Sequence, residues 1–413
     1  MINSYFKSKR NTYIAVNLAI FLIIDVFVAT LLNTLVPALS EIVFASHSYF
    51  ASYSLSHLFS FVSNLLSALS SIGLVAILNS SSKKAGRPEA TISPAYAFVK
   101  TALSTTISSL YSITIYTPYL SELANGSYNY QNHAIISLVY SVISLISAFI
   151  SVIITPIFLF NSENKRLGAI RSKVMNAKFS GAEIKYNSAM FTTNRIIVLV
   201  VFLLDVFIYK IADHIAGNLF EGPGQIVIKL LGLIFFVTVA VLTVALTNNG
   251  CKKNNKNEDA VSVATLFIPL GINMVSTLLS NLYLFAVNLI EVLKSNDNYF
   301  IYFYNYELYN SFISDHLVIS NIITIACALL FTAIFTIMAF KHENKKITAL
   351  FNNGYFEKVE VIIPTVQPMY QQPVQPVYQQ PVQPVYQQPV QPVQPVVVPE
   401  DKTAVADGND ENK

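Results

Sequence analysis

Long apolar segments separated by short polar ones dominate the chain. Eight of them are long enough to cross a bilayer as helices, because about 20 apolar residues span a hydrocarbon core of about 30 Å. They cover residues 12–36, 50–78, 98–118, 134–160, 195–216, 225–247, 262–291 and 317–340. The first follows Lys7, Lys9 and Arg10 and so resembles a secretory signal, but at about 24 residues it exceeds the apolar core of a signal. We therefore predict an all-α integral membrane protein with eight transmembrane helices.

The basic residues are distributed unevenly across the predicted spans. Twenty of the 26 lysines and arginines lie at the N-terminus or in loops that eight spans place on one side of the membrane. Three lie on the other side, Lys210, Lys229 and Lys294, and we expect the first two to extend outward from helix ends. The last three lie in the C-terminal tail. Because basic loops stay in the cytoplasm, this asymmetry predicts a cell-membrane protein with cytoplasmic N- and C-termini.

Several motifs occur twice, about 180 residues apart. Residues 22–28 and 202–208 both place Asp-Val-Phe within an apolar run. Residues 160–166 and 340–346 share the pattern Phe-x-x-Glu-Asn-Lys followed by a basic residue. Matches in the same order at both ends of a long segment are typical of internal repeats. We therefore predict that a unit of four spans is present twice in tandem.

This repeat divides the chain into four parts. We predict two four-helix membrane units, 1–160 and 195–346, joined by a basic cytoplasmic linker, 161–194, and followed by a low-complexity tail, 347–413. An even number of spans gives both units the same orientation, and hence a pseudo-twofold axis along the membrane normal. Two independent bundles joined by the linker are the alternative.

Serine recurs every three or four residues along two predicted spans and forms a stripe of small residues on each helix. The stripes comprise Ser56, Ser60, Ser63 and Ser67 in the second span and Ser137, Ser141 and Ser144 in the fourth. In lipid the hydrophobic effect gives helices little drive to associate, so small residues that allow close approach supply it. We predict that the stripes pack helices together; a polar lining for a solute path is the alternative.

One aspartate lies near the middle of the first span and one near the middle of the fifth, Asp25 and Asp205, each in the duplicated motif. A charged carboxylate at the bilayer centre costs about 2.5–3.5 kcal/mol on insertion scales. We expect each aspartate to form a hydrogen bond to a serine stripe within its own unit. The alternative is a pair of ion or proton sites near the pseudo-axis.

The seventh span contains residues that interrupt helices. Pro269 removes a backbone hydrogen bond and Gly271 adds backbone freedom, with Asn273 close behind, so we predict a kink or break. Broken helices often form binding sites in transporters, although kinks also serve packing alone. The third span, which is the counterpart, has no Pro-x-Gly element.

The composition fits this interpretation and excludes several classes of protein. Hydrophobic residues make up 53% of the chain and charged residues only 12%, too few to cover a soluble protein of this size. A net charge of +3 gives no reason to expect nucleic-acid binding. Two cysteines cannot form a disulfide scaffold or a cysteine-rich zinc site, and we expect no metal or cofactor.

The cytoplasmic segments suggest partners. The linker 161–194 is basic, with Leu167, Ile170 and Val174 at helical spacing, which would suit contact with anionic lipid; topology alone also explains its charge. The tail repeats Tyr-Gln-Gln-Pro-Val-Gln-Pro-Val over residues 364–399. So much proline favours extended, disordered chain, and the repeat contains the Pro-x-x-Pro pattern read by some peptide-binding domains.

The sequence contains no common catalytic motif, such as Gly-x-x-x-x-Gly-Lys, His-Glu-x-x-His, Cys-x-x-Cys or Gly-x-Ser-x-Gly. We therefore predict a non-enzymatic membrane-organising or accessory protein whose tail recruits partners. The alternative is a transporter or channel for a small solute or ion, with a polar path between the two units and Asp25 and Asp205 as ion or proton sites.

Overall fold

The computed structural model describes residues 49–111, 130–181, 186, 189–219, 223–294 and 306–357, together with seven positions between 16 and 27. In these ranges the chain is helical and contains no β-strand, as predicted. They all belong to one compact unit, Met1–Val359, and a second unit, Glu360–Lys413, lies outside the described residues. Asp25, most of the first predicted span and the proline-rich tail also lie outside them.

Nine α-helices follow one another in the described ranges: α1 Tyr49–Lys84, α2 Val99–Tyr111, α3 Tyr130–Phe179, α4 Thr193–Leu219, α5 Pro223–Lys253, α6 Phe267–Gly271, α7 Asn273–Ser276, α8 Leu278–Lys294 and α9 Tyr306–Asn352. Two 3₁₀ turns, Pro88–Ala90 and Pro94–Phe98, connect α1 to α2. Two more, Asn257–Asp259 and Val263–Leu266, connect α5 to α6. The two connections therefore have the same order of elements.

Within the described residues, three helical segments are long and apolar enough to cross a membrane: Phe61–Lys84, Gly224–Lys253 and His316–Asn352. They correspond to the second, sixth and eighth predicted spans. The described part of the chain is thus helical and contains three helices able to span a bilayer, and the full set of eight stays a prediction. In the described ranges α2 is only 13 residues long and the seventh predicted span is divided, so neither has the length of a spanning helix.

The seventh predicted span is divided into three helices. Pro269 lies in α6, which ends at Gly271, and α7 and α8 follow after single intervening residues. A Cβ atom on Gly271 would lie 2.6 Å from the backbone oxygen of Phe98 and 3.2 Å from the backbone nitrogen of Ala102. The absence of a side chain at Gly271 therefore lets α6 approach the start of α2 closely.

One hydrophobic core joins the helices that precede and follow the linker. α1 packs against α8, α2 against α6, and α9 against both α4 and α8. The core includes Phe98 and Phe160 from the first half and Phe202 and Phe340 from the second. The described helices of the two halves therefore form one body rather than two separate bundles.

The linker begins as a continuation of α3, which is 50 residues long. Its apolar positions Leu167, Ile170 and Val174 are buried in a second cluster with Ile347, Leu350 and Phe356. Protein therefore covers these three apolar positions, and contact of the basic residues of the linker with anionic lipid stays a prediction. The packed part of the second half also reaches Phe356, ten residues beyond the predicted boundary at residue 346.

Two asparagines form the same bridge in the two halves. The Asn79 amide donates to the Ile92 carbonyl at 2.8 Å, and its oxygen accepts from the Ile92 N–H at 2.7 Å. The Asn248 amide donates to the Val261 carbonyl at 2.8 Å, and its oxygen accepts from the Val261 N–H at 2.8 Å. Each asparagine therefore ties the end of a long helix to a residue 13 positions later.

The backbone between these bridge residues also matches. Gly86 and Asn255, each after the end of a helix, have φ values of 66° and 55°, the left-handed region typical of helix C-termini. Six backbone hydrogen bonds of the first connection recur in the second, each between residues 169 positions later. For example, the Arg87 N–H donates to the Ser82 carbonyl at 2.9 Å, and the Lys256 N–H donates to the Cys251 carbonyl at 2.8 Å. The two helix-to-helix connections therefore have the same local conformation.

Candidate functional site

Four charged residues form two ion pairs between α3 and α9, and we refer to them as the charge cluster. Arg166 Nη1 lies 2.5 Å from Glu343 Oε2, and Lys346 Nζ lies 2.8 Å from Glu163 Oε1. Glu163 and Glu343 occupy the same position in the two copies of the duplicated motif. Arg166 and Lys346 occupy the basic position at the end of each copy. Each glutamate therefore pairs with the basic residue of the other copy. The sequence showed the motif twice, but nothing in it indicated that the copies meet.

The basic residues of the charge cluster also donate to the connections between helices. Lys346 Nζ donates to the carbonyl of Thr91 at 2.8 Å, and Arg166 Nε donates to the carbonyl of Asn257 at 3.4 Å. Lys346 of the second half thus contacts Glu163 and Thr91 of the first half. Arg166 of the first half contacts Glu343 and Asn257 of the second half. The contact is reciprocal.

All four side chains of the charge cluster are largely buried. Burial by itself would raise the pKa of the Glu163 carboxyl, but the adjacent Lys346 and Arg166 outweigh this effect and lower the pKa to about 2. Burial would likewise lower the pKa of the Arg166 guanidinium, but Glu343 and Glu163 outweigh it and raise the pKa. Both groups are therefore charged at neutral pH, which suits a structural contact.

Arg195, at the start of α4, was counted in the sequence only as a topology signal. Its side chain is buried, with 1% of the residue exposed. Nη1 donates to the carbonyls of Ala189 and Met190 at 3.4 and 3.2 Å, and the guanidinium carbon lies 5.9 Å from the centre of the Phe340 ring. Arg195 thus anchors the segment that leads into α4 against α9.

Asp205 is buried within α4, with 2% of the residue exposed. Neither carboxylate oxygen has a hydrogen-bond partner in the described part of the chain. The hydrogen bond to a serine that we expected is therefore not formed there. A buried carboxylate without a partner is costly in an apolar environment, which makes Asp205 the most unusual acidic residue in the described ranges.

Two hydroxyl groups lie at about the level of Asp205. Near the start of α4, Arg195 contacts Phe340 in the later part of α9. Near the end of α4, His214 contacts Asn321 in the earlier part of α9, with their side-chain nitrogens 3.1 Å apart. The helices are therefore antiparallel, with Asp205 opposite the middle of α9. Thr332 and Thr336 in that part of α9 are fully buried, and their hydroxyls have no partner among the described residues.

Lys210, one turn and a half further along α4, binds the divided helix. We expected its side chain to extend outward, but its Nζ donates to Asn273 Oδ1 at 2.5 Å. Beside this contact is a cavity of about 10 Å³, roughly the space of one water molecule. The cavity is lined by Lys210, Asn273, Pro269, Thr106, Tyr209 and five apolar residues. Thr106 is the contribution of the first half.

The predicted residues thus fall in different places. Pro269 and Asn273 line the cavity, Gly271 contacts α2, and Asp205 is not among the residues that line the cavity. Ser63 and Ser67 are half-buried on α1 and do not line it either. The side chains of Ser56, Ser60, Ser137, Ser141 and Ser144 lie outside the described part of the structure.

Comparison with known protein families, curated proteins and solved structures finds no match. Evidence about the function of this chain therefore comes from its own residues.

Proposed function

We propose that the chain is an eight-span membrane protein of two equivalent four-helix units, with cytoplasmic N- and C-termini. Three observations support this architecture. The basic residues are divided 20 to 3 across the predicted membrane. The asparagine bridges and their backbone hydrogen bonds occur in both halves at one constant offset. The charge cluster joins the halves through reciprocal contacts, as a pseudo-twofold axis would require.

We propose further that its role is non-enzymatic and that it organises a membrane assembly or serves as an accessory subunit. The observation that carries this proposal is the buried charge cluster, which binds the two halves together at one end of the molecule. The cavity beside Lys210 and Asn273 has space for only about one water molecule. Such a body suits a fixed platform in the membrane.

The proline-rich tail is the part that we propose recruits a partner, through a domain that reads Pro-x-x-Pro segments. Anionic lipid at the basic residues of the linker is a second proposed contact. In the tail, a photo-crosslinking amino acid at Tyr378 in the full chain should give one dominant cross-linked protein in native membranes. A variant with residues 364–399 shuffled has the same composition and should lose that product. Equal products from both chains would contradict recruitment by the repeat.

Ion or proton passage is the second candidate, and the observation that favours it is the buried Asp205 carboxylate, which has no hydrogen-bond partner among the described residues. Proteoliposomes with the wild-type chain should then release protons or Na⁺ faster than empty vesicles. Asp205→Asn should abolish the excess flux. Asp213→Asn is the matched control, because Asp213 lies two turns away on the same helix and is exposed. Flux equal to that of empty vesicles would leave the architectural role as the better account.

A further inference from the structure

Four lysines lie at equivalent positions at the ends of α1 and α5. Lys83 and Lys84 end α1, and Lys252 and Lys253, which follow 169 positions later, end α5. All four are exposed, and none of them forms an ion pair in the part of the chain that the structure describes. Their positive charges are therefore available to a negatively charged partner.

The helix ends themselves do not use up this charge. A helix C-terminus carries roughly half a negative charge, which a single lysine outweighs. The backbone carbonyls of Lys83 and Lys252 already accept hydrogen bonds from N–H groups of the turn that follows, at 3.0 and 3.1 Å. Residues 83–87 and 252–256 each contain three basic and no acidic side chains. Each helix end therefore carries an excess of positive charge at the surface.

An exposed apolar residue precedes each lysine pair on the same helix face. Ile77, seven residues before Lys84, is 65% exposed, and Leu246, seven residues before Lys253, is 66% exposed. Seven residues make almost two full turns and rise about 10 Å, so the apolar side chain and the lysine lie on one face. Both helices are long and apolar enough to span a membrane. The face is therefore apolar within the span and basic at its end.

This combination fits an anionic phospholipid. Acyl chains pack against the apolar residue, and the headgroup phosphate lies about two turns further along the helix, at the level of the ammonium groups. A soluble acidic protein would contact the lysines but leave the exposed apolar residue without a partner. A lipid without net charge would cover the apolar residue but leave the excess positive charge unbalanced.

We propose that the ends of α1 and α5 form two equivalent sites for anionic phospholipid, one in each half of the molecule. Lys84 binds the headgroup of a lipid whose acyl chains contact Ile77, and Lys253 binds that of a lipid whose chains contact Leu246. The neighbouring lysine of each pair adds charge. The inference rests on the proposed membrane architecture, but it uses neither the linker nor the role proposed for the protein.

Fluorescence quenching by brominated lipid tests both sites separately. The chain contains no tryptophan, so a single introduced one reports on its own surroundings. The full chain with Ile77→Trp or Leu246→Trp is reconstituted in phosphatidylcholine vesicles that contain brominated phosphatidylglycerol or, at the same mole fraction, brominated phosphatidylcholine. Bromine on an acyl chain quenches a tryptophan that it contacts. At both reporters the anionic lipid should bind at least about threefold more strongly, because each basic residue at a membrane surface adds to the attraction.

Variants of the lysines and a third reporter are the controls. Lys83→Gln/Lys84→Gln should abolish the preference at Ile77→Trp and leave it intact at Leu246→Trp, and the same change in the α5 pair should do the reverse. Lys83→Arg/Lys84→Arg keeps the charge and should keep the preference. Leu66→Trp, on the same face of α1 as Ile77 but three turns further from the lysines and 44% exposed, should be quenched equally by both lipids.

The outcomes separate this proposal from the membrane architecture on which it rests. Equal quenching by the two lipids at Ile77→Trp and Leu246→Trp would overturn the lipid sites and leave the architecture intact. A preference that survives the glutamine substitutions would overturn the assignment to these lysines in the same way. No quenching by either lipid at the two reporters would contradict the architecture itself, and the lipid sites with it.

Discussion

Single residues matter most in this protein where a buried group depends on one neighbour. Lys346 depends on Glu163 in this way, because removal of Glu163 leaves the buried ammonium with no carboxylate within 4 Å among the described residues. In comparable cases this costs about 3–5 kcal/mol. Gly271 is another, since its missing side chain allows a backbone contact. Both positions lead to predictions about stability.

We expect Glu163→Gln to lower the thermal midpoint in detergent strongly at neutral pH. The pKa of Glu163 is about 2 in the folded chain and about 4.5 without the fold, so its stabilising contribution is complete above pH 4.5. The contribution is lost as the pH falls from 4.5 through 2. The difference between wild type and variant should therefore shrink over that range, and a difference that stays constant would contradict this assignment.

We expect Gly271→Ala to destabilise the fold by about 1–3 kcal/mol, because its Cβ would lie 2.6 Å from the Phe98 oxygen and the backbone would have to move. Gly232→Ala in α5 is the matched control, since nothing lies within 4 Å of a Cβ there. Alanine favours helix over glycine, so the control should be neutral or slightly stabilising. Thermal unfolding of both variants measures the difference.

Among the helices, the connections after α1 and α5 best show how local sequence determines conformation. Each has two lysines in the last helical turn, a residue at positive φ and a 3₁₀ turn. Asn79 and Asn248 each satisfy a backbone N–H and a carbonyl that the connection would otherwise leave unbonded. The sequence showed only a faint match between these stretches, because few of the residues between them are identical.

We expect Asn79→Ala and Asn248→Ala to destabilise the fold to a similar extent, each by about 1–3 kcal/mol, since each leaves two buried backbone groups without a partner. Asn254→Ala, in the same connection as Asn248 but exposed, should change stability by less than about 0.5 kcal/mol. Thermal unfolding of the three variants under one condition provides the comparison. A large effect at only one of Asn79 and Asn248 would mean that the two bridges are not equivalent.

The seventh predicted span and the linker differ in how far the local sequence decides their structure. Proline and glycine restrict the local backbone, so a break near Pro269 follows from residue chemistry. What covers the apolar face of the linker does not follow from residue chemistry, because a basic segment with an apolar stripe can pack against lipid or against protein. Only the position of Ile347 and Leu350 decides that protein covers Leu167 and Ile170.

At the scale of the whole molecule, the charge cluster makes the two halves depend on each other. Arg166 and Glu343 are 177 positions apart, and Glu163 and Lys346 are 183 apart. Together with the shared core around Phe98 and Phe335, whose ring centres are 4.7 Å apart, these pairs join the halves into one body.

We expect strong coupling between Arg166 and Glu343 in a double-mutant cycle. Arg166→Gln and Glu343→Gln should each destabilise the fold by about 3–5 kcal/mol, because each leaves the charge of the other residue buried without this partner. The double variant contains neither charge of the pair, so it should lose clearly less stability than the sum of the two single variants. Lys178 and Glu357, 3.1 Å apart but with side chains 62% and 54% exposed, are the control pair. Their coupling should be below about 1 kcal/mol. Additive effects of the two single variants would contradict energetic coupling between the halves through Arg166 and Glu343.

The sequence by itself determined the class of protein, since apolar segments of spanning length and sparse charges leave a helical membrane protein as the only suitable class. It also identified the duplicated motifs and the helix-breaking residues, because these depend on the local chain. Only the tertiary structure decided that each Glu pairs with the basic residue of the other motif, that Asp205 lacks a partner and that Lys210 turns inward to Asn273. These contacts join residues far apart in the chain, and what surrounds a buried charge depends on every helix packed around it.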